Sequence, residues 1–150
     1  NLTKIGQAPF SLHTSMMANI EREIVFAQQG KSGTVWAKMN SLIEPHIIQA
    51  LYRASQAGVR VELIVRGICA LKPGVPGVSE NVKVRSIIGR FLEHTRVFCF
   101  HNNGNPELFL SSADWMGRNF FSRVETCFPI ETLATAFFNI ILLPFLTFFK

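Results

Sequence analysis

The feature that most constrains the fold is a strand, helix and strand within residues 34–67. In the first strand, TVWAKMN, one face carries Val35, Ala37 and Met39 and the other carries Trp36, Lys38 and Asn40. The second, VRVELIVRG, is rich in β-branched residues. Between them SLIEPHIIQALYRASQAG carries apolar residues at helical spacing, with Pro45 suited to the first turn and Gly58 just beyond the end. Such a βαβ unit predicts parallel pairing of its strands, a right-handed crossover and therefore an α/β fold.

The rest of the chain predicts one more helix, a long loop and further strands. Pro and Gly exclude a regular element from CALKPGVPGVSEN, and loops after parallel strands often bear ligand sites. VKVRSIIG is open to two interpretations, a short strand or a turn of helix. The other predicted segments are the helix TSMMANIEREIVFAQQGKSG (14–33), the strands RFLEHTRVFCF (90–100) and PELFLSSAD (106–114), joined by the hairpin signal HNNGN, and a last strand, VETCFPI (124–130).

The composition predicts one domain with a hydrophobic core and one basic region. The chain has 150 residues, is 48% hydrophobic and carries a formal net charge of +5. Residues 60–96 hold seven Lys or Arg but three Glu, so the positive charge is concentrated there. A concentrated positive field attracts anions such as phosphate, nucleotide, nucleic acid or lipid headgroup, and the alternative is a solvated basic face.

The three cysteines, Cys69, Cys99 and Cys127, have no CxxC spacing and are odd in number. They predict buried small apolar side chains in a reducing compartment, with no disulfide framework and no zinc site. Three histidines are interpreted as structural or exposed: His13, His46 and His101.

Polar side chains that suit phosphate chemistry fall at the ends of predicted strands. Residues i and i+2 of a strand share a face, so His94 and Arg96 point the same way. Ser112 and Asp114 are related in the same manner. If the hairpin pairs the two strands in register, these four side chains lie together at one end of the sheet. Arg66 lies at the end of the strand that precedes the Pro-Gly loop. An imidazole serves as nucleophile or acid, guanidinium groups bind phosphate oxygens, and a carboxylate orients the imidazole.

Each of these residues also has an ordinary structural interpretation. His94 suits a surface position, and Ser112 and Asp114 suit the start of a helix. Arg66 suits an ion pair with Glu62 or Glu93. Two further candidates for ligand contact share a face of the first strand of the βαβ unit: Lys38 and Asn40.

Four long and unusual segments carry a resemblance to a known family: IVRGIC, PGVPGVSEN, GRFLEH and SSADWM. With the sequence around them, from about Ala8 to Ile130, they closely resemble the C-terminal part of bacterial polyphosphate kinase of the first type. That family is similar to phospholipase D in fold, with two such domains facing each other across the active site. The resemblance implies a phospholipase D-like α/β domain with a mixed, mostly parallel sheet flanked by helices.

The resemblance also implies roles for the polar residues. HTR (94–96) is similar to the HxK motif of the superfamily, and SSAD (111–114) is similar to its GSxN motif. His94 matches the second active-site histidine of the family, which contacts the nucleotide phosphates and assists transfer as an acid or charge stabiliser. Arg66 matches a nucleotide-phosphate-binding arginine. The superfamily pattern alone adds three nucleotide-binding positions: Arg96, Ser112 and Asp114.

By this resemblance, the whole enzyme moves the terminal phosphate of ATP reversibly onto polyphosphate, with Mg²⁺ and a phosphohistidine intermediate. The nucleophilic histidine belongs to the preceding phospholipase D-like domain, which this chain does not contain, and the Mg²⁺ ligands are also expected outside it. The expected partners are ATP or ADP, polyphosphate, the remaining domains and a second copy of the enzyme, but not nucleic acid. The expected compartment is the bacterial cytoplasm, with membrane association left open.

Residues 131–150 differ in character from the domain predicted for residues 1–130. No charged side chain occurs from Thr132 to Phe149, which is close to the minimum for a transmembrane helix, and Pro144 interrupts the segment. The interpretations are a buried helix, a membrane anchor, or a truncated or frame-shifted end. Because the family it resembles continues with a charged helical end, we expect a fragment with an atypical apolar tail.

Two other functions remain open at this point. One is a phosphodiesterase or nuclease of the phospholipase D type, active as a dimer that brings two His94 side chains together. The other is a binding module without catalysis, which holds anionic lipid or nucleic acid and is anchored by the apolar tail.

Overall fold

The computed structural model describes residues 5–130, and these form one sheet with three α-helices. The elements, in chain order, are β1 (Gly6–Ala8), α1 (Leu12–Gln28), β2 (Thr34–Met39), α2 (Pro45–Gln56), β3 (Arg60–Val65), β4 (Val82–Arg85), β5 (Arg96–Phe100), one turn of 3₁₀-helix (Asn102–Gly104), β6 (Glu107–Ser111), α3 (Gly117–Phe121) and β7 (Glu125–Pro129). The predicted βαβ unit is confirmed as β2, α2 and β3.

The strands lie in the order β1-β7-β6-β5-β2-β3-β4. A mixed sheet flanked by helices is confirmed, but the expectation that it is mostly parallel is wrong. Parallel pairing joins β2 to β3 and β3 to β4, whereas every other neighbouring pair in residues 5–130 is antiparallel. For β5 and β6 the reason is the length of the connection, since parallel neighbours need a crossover of a dozen or more residues and residues 101–106 alone join these strands.

Helix α2 begins and ends where its sequence signals predict. Pro45 occupies the first helical position, and the Glu44 carboxylate accepts a hydrogen bond of 2.7 Å from the Ile47 amide. Gly58 follows the helix with φ +91°, a left-handed conformation that glycine adopts without a steric cost. The cap and the glycine thus determine the length of the crossover and the register with which β3 returns beside β2.

The alternation predicted for β2 separates two cores. Val35, Ala37 and Met39 are at most 1% exposed and belong to the main core, which α1 and α2 cover. Trp36 points to the other face, where it joins a smaller cluster with Ile64. Because both faces of this central strand are buried, its polar residues can reach solvent only at its ends.

Several element boundaries differ from the sequence prediction. The fifth strand begins at Arg96 rather than near residue 90, so His94 lies in the loop before it. The ambiguous segment at 82–89 forms a strand over Val82–Arg85, which pairs with β3. The three-residue β1 and the five-residue α3 were not predicted, because elements this short lack a measurable periodicity.

The prediction about the apolar tail concerns residues 131–150 and lies outside the described residues. Within residues 5–130, none of the helices has the length and apolar character required to cross a membrane.

Candidate functional site

The polar residues singled out from the sequence gather at one edge of the sheet. Parallel β2 and β3 end there, and Asn40 and Arg66 directly follow them. Antiparallel β5 begins at the same edge with Arg96, which is paired in register with Ser111 at the end of β6. Gly67 lets these strand ends approach closely, since a Cβ atom on it would lie 2.9 Å from the Asn40 carbonyl oxygen.

Arg96 and Asp114 form the centre of the site. Arg96 Nε donates to Asp114 Oδ1 at 3.1 Å, and Nη2 donates to Oδ2 at 3.2 Å, which is a bidentate pair. Their side chains are 12% and 8% exposed, so solvent screens the pair little. The backbone amide of Asn40 donates to Asp114 Oδ1 at 2.7 Å and ties the pair to the end of β2.

His94 lies on the solvent side of Arg96. Arg96 Nη1 is 3.1 Å from His94 Nδ1 and 3.2 Å from the His94 carbonyl oxygen. Arg96 Nη2 also lies 3.5 Å from His94 Nε2, so the guanidinium faces both ring nitrogens. His94 is nevertheless exposed, so a ligand can approach the imidazole from solvent. We refer to His94, Arg96 and Asp114 as the Arg96 cluster.

Lys38 holds the segment that carries His94. Its Nζ lies 3.2 Å from the Thr95 carbonyl oxygen and 3.2 Å from Glu93 Oε2, and its side chain is 13% exposed. This lysine therefore fixes the approach to β5. The alternation of polar residues in TVWAKMN is the signal that pointed to it from the sequence.

Asn40 contributes an unusual group to the site. Its side chain is buried, at 7% exposure for the residue, and within residues 5–130 neither Oδ1 nor Nδ2 has a hydrogen-bond partner. Buried amides are rarely left unpaired, and an unpaired one at a strand end beside Asp114 suits contact with a bound ligand. The sequence pattern indicated Asn40 only as a candidate for ligand contact, because alternation along a strand does not reveal which polar groups lack hydrogen-bond partners.

Arg66 lines an open cleft beside the Arg96 cluster. The cleft has a volume of about 380 Å³ and is otherwise lined by residues 87–93, the segment that leads to His94. The alternative of an ion pair with Glu62 is wrong, because within residues 5–130 the cationic partners of Glu62 are Arg60 at 3.0 Å, Arg85 at 3.7 Å and Lys83 at 3.9 Å. Glu93 pairs with Lys38 instead, and among residues 5–130 Arg66 forms no ion pair. Its charge is thus available to an anion in the cleft.

Ser112 does not join the Arg96 cluster. Its hydroxyl donates to Glu125 and accepts a hydrogen bond of 3.1 Å from the Thr126 amide, both on β7. The predicted meeting of Ser112 with Asp114 assumed that β6 continues through residue 114, but the strand ends at Ser111 and the chain turns. The structure therefore groups three of the four predicted side chains and places Ser112 against β7.

The Arg96 cluster suits an anion better than a metal ion. Asp114 has both oxygens engaged by Arg96, and Oδ1 also accepts the Asn40 amide, so Mg²⁺ would have to displace a guanidinium. The residues present do not fit that ion. What the edge offers a phosphate is the exposed imidazole of His94, the guanidinium of Arg66 and the positive field of Arg96.

The cysteines take no part in this site. Burial, with the charges of Glu23 and Glu107, raises the pKa of Cys99 to about 12, and burial raises the pKa of Cys127 to about 12 despite a hydrogen bond with Ser111. The prediction of buried thiols is confirmed for Cys99 and Cys127 and is wrong for Cys69, which is half-buried.

Comparison with solved structures defines the class of protein first. Nuc from Salmonella typhimurium, a phospholipase D family member, superposes with a TM-score of 0.61 over 90% of this chain and 88% of its own, at 16% identity. At that identity the likeness shows the fold alone, and the chain has the phospholipase D-like fold expected for it.

The sequence comparisons narrow this class to one family. Residues 6–138 match the family described as polyphosphate kinase C-terminal domain 2, so the chain belongs to that family. It is 62% identical over 129 residues to polyphosphate kinase of Neisseria gonorrhoeae (strain ATCC 700825 / FA 1090) and 60% identical over 130 residues to that of Burkholderia cenocepacia (strain HI2424). These matches cover 86% and 87% of this chain but 19% of each relative.

A solved member of the family agrees closely. The crystal structure of polyphosphate kinase from Porphyromonas gingivalis superposes with a TM-score of 0.91 at 42% identity, over 97% of this chain and 22% of that one. The chain therefore spans about a fifth of the length of the polyphosphate kinases it matches.

Proposed function

We propose that this chain forms one wall of the active site of a polyphosphate kinase, which transfers the terminal phosphate of ATP reversibly to polyphosphate. His94 and Arg66 bind the phosphate groups of ATP or ADP, and Arg96 supports this binding through its positive field and its contact with His94. The observation that carries the proposal is the exposed His94, oriented by an arginine that Asp114 holds in two hydrogen bonds, beside a cleft lined by Arg66. The relatives' name, polyphosphate kinase, supplies the reaction.

Each residue has a distinct task in this proposal. The imidazole of His94 donates a hydrogen bond to a phosphate oxygen of the nucleotide and stabilises the charge that develops on ADP as it leaves. Arg66 binds the phosphate oxygens from the cleft. Arg96 keeps its bond to Asp114 and contributes its field and the orientation of the imidazole. The side-chain amide of Asn40, which has no hydrogen-bond partner within residues 5–130, donates to the same phosphates.

Other components of the reaction are proposed to lie outside this chain. The nucleophilic histidine and the Mg²⁺ ligands belong to the remaining domains, with which this chain pairs, and Ser112 contributes to binding through the segment that it fixes on β7. We place the enzyme in the bacterial cytoplasm, where its nucleotide substrate is abundant. We expect it to form a homo-oligomer and not to bind nucleic acid. The bacterial sources of the relatives support this assignment.

The test uses the complete enzyme that contains this chain. His94→Ala and Arg66→Ala should each lower ATP-dependent polyphosphate synthesis by at least about a hundredfold, since general acids and charge-stabilising groups contribute that much. Arg60→Ala is the matched control, because Arg60 begins the strand that Arg66 follows and pairs with Glu62. Wild-type rates in both His94→Ala and Arg66→Ala would overturn the proposal. Phosphodiester hydrolysis without ATP would favour a phospholipase D-type activity instead.

A further inference from the structure

A second cluster of ligating side chains lies where two helices begin, and the kinase proposal does not use it. His13 is in the first turn of α1, Glu44 caps α2, and His46 is in the first turn of α2. No local pattern connects these residues, since His13 and Glu44 are 31 positions apart in the chain. We call His13, Glu44 and His46 the His13 cluster.

The two imidazoles face the same carboxylate. His13 Nε2 lies 3.3 Å from Glu44 Oε2, and His46 Nδ1 lies 2.8 Å from Glu44 Oε1. One ligating atom from each residue can be chosen so that all three lie within 4.8 Å of one another. Zinc bonds of about 2.0–2.2 Å place tetrahedral ligand atoms about 3.3–3.6 Å apart, so small rotations of the side chains suffice.

Burial differs among the three residues in a way that suits a bound ion. The Glu44 side chain is 2% exposed, and the Ile47 amide holds its Oε2 at 2.7 Å. The carboxylate lies at the N-terminal end of α2, and its negative charge offsets the positive end of the helix dipole, which otherwise repels a cation.

The histidines supply one fixed and one adjustable ligand. The His13 ring packs against Phe120 and Phe121, with ring centroids 5.0 Å away in both cases, and this contact limits its rotation. The His46 side chain is 69% exposed and can turn without displacing a neighbour. Solvent on the His46 side leaves room for a water as the fourth ligand.

We propose that His13, Glu44 and His46 bind a divalent zinc ion. Two imidazoles and one carboxylate are a donor set that selects zinc over magnesium or calcium, and three protein ligands leave a fourth tetrahedral position to water. The ion joins the first turns of α1 and α2. It also steadies the segment after Asp114, because the amides of Ile43 and Glu44 each donate to the Trp115 carbonyl oxygen at 3.0 Å.

The test measures zinc bound to the full chain after treatment with a chelator and dialysis against zinc chloride. Wild type should retain one equivalent more than His46→Gln, which removes an exposed ligand without disturbing the core. His101→Gln is the matched control, since within residues 5–130 the His101 side chain makes one hydrogen bond, with the Ser32 carbonyl oxygen. Co²⁺ provides a second readout, because the tetrahedral absorption expected for wild type and His101→Gln should be lost in His46→Gln.

Glu44→Gln should also lose the ion, but this change weakens the cap of α2 and can impair folding. His46→Gln therefore decides the question. Equal zinc content in wild type and His46→Gln, or only octahedral Co²⁺ absorption in wild type, would overturn the proposal. The three residues would then form a hydrogen-bonded contact between α1 and α2, and zinc would leave the melting temperature of wild type unchanged.

Discussion

Arg96 and Asp114, 18 positions apart, meet through two nearly equal hydrogen bonds of 3.1 and 3.2 Å. One residue begins β5 and the other follows the end of β6, so the hairpin between these strands creates the pair. The same guanidinium contacts His94, and the same carboxylate accepts the amide of Asn40. The pair thus couples the position of the imidazole to the end of the central strand.

Breaking this pair should cost stability as well as function. Asp114→Ala leaves a largely buried guanidinium without its partner, and the free energy of unfolding of the chain should fall by about 3 kcal/mol. Urea unfolding measures the change. Glu107→Ala is the control, because the Glu107 side chain is 39% exposed and pairs with Arg22 near the surface, where ion pairs contribute about 1 kcal/mol or less. If the free energy of unfolding fell equally in Asp114→Ala and Glu107→Ala, the Arg96–Asp114 pair would be no more stabilising than a surface ion pair.

Asn40→Ala should separate function from stability. Because the side-chain amide has no partner within residues 5–130, its removal should change the free energy of unfolding by about 1 kcal/mol or less. In the complete enzyme kcat/KM for ATP should fall about tenfold, the expected effect of losing one hydrogen bond to a charged phosphate. A variant with normal kcat/KM would show that the amide does not meet the nucleotide.

Glu23 should make stability depend on pH. Burial raises the pKa of Glu23, although the amides of Asn102 and Thr34 and the charges of Arg22 and His101 act to lower it. A raised pKa means that the native state holds the proton more tightly than the unfolded state does. The stabilisation is therefore complete below the unfolded pKa and is lost as the pH rises through the folded pKa.

Glu23→Gln tests this dependence by urea unfolding from about pH 4 to pH 7. The variant should be less stable by about 1–3 kcal/mol. The backbone amides of Thr34 and Asn102 each donate to one oxygen of the Glu23 carboxyl group, whereas a glutamine side chain has a single acceptor oxygen. The difference from wild type should narrow as the pH rises, since wild type alone loses the protonated carboxyl. Glu21→Gln, at a surface pair with Arg53, is the control. A difference that widens with pH would contradict the raised pKa.

The thiols should differ in reactivity. Cys99 and Cys127 are 2% and 1% exposed, with a pKa of about 12 in both cases, so a thiol reagent at pH 8 should reach them only after unfolding. Cys69 is half-buried, and although burial raises its pKa it should react first. Mass spectrometry of Cys69→Ser and Cys99→Ser variants distinguishes the thiols, because only the first change should abolish labelling of the native chain.

The central part of this fold was predictable from local signals. Alternation in β2, the helical spacing of α2, Pro45 and Gly58 define a βαβ unit without knowledge of the other strands. Two positive-φ asparagines and Gly104 form the turn of the hairpin, as the HNNGN signal indicated. The resemblance to polyphosphate kinase, carried by sequence segments, predicted the family that the comparisons show.

Local patterns predicted the longer elements and the candidate residues His94, Arg96, Asp114 and Arg66, because strand periodicity and strand ends are local properties. Which of these residues meet depends on the tertiary structure. The Ser112 hydroxyl forms hydrogen bonds with β7, and the backbone amide of Asn40 donates to Asp114. His13 lies beside Glu44 although the two are 31 positions apart. These contacts depend on where strands stop and how helices pack, which is set by the packing of the whole chain and not by any one segment.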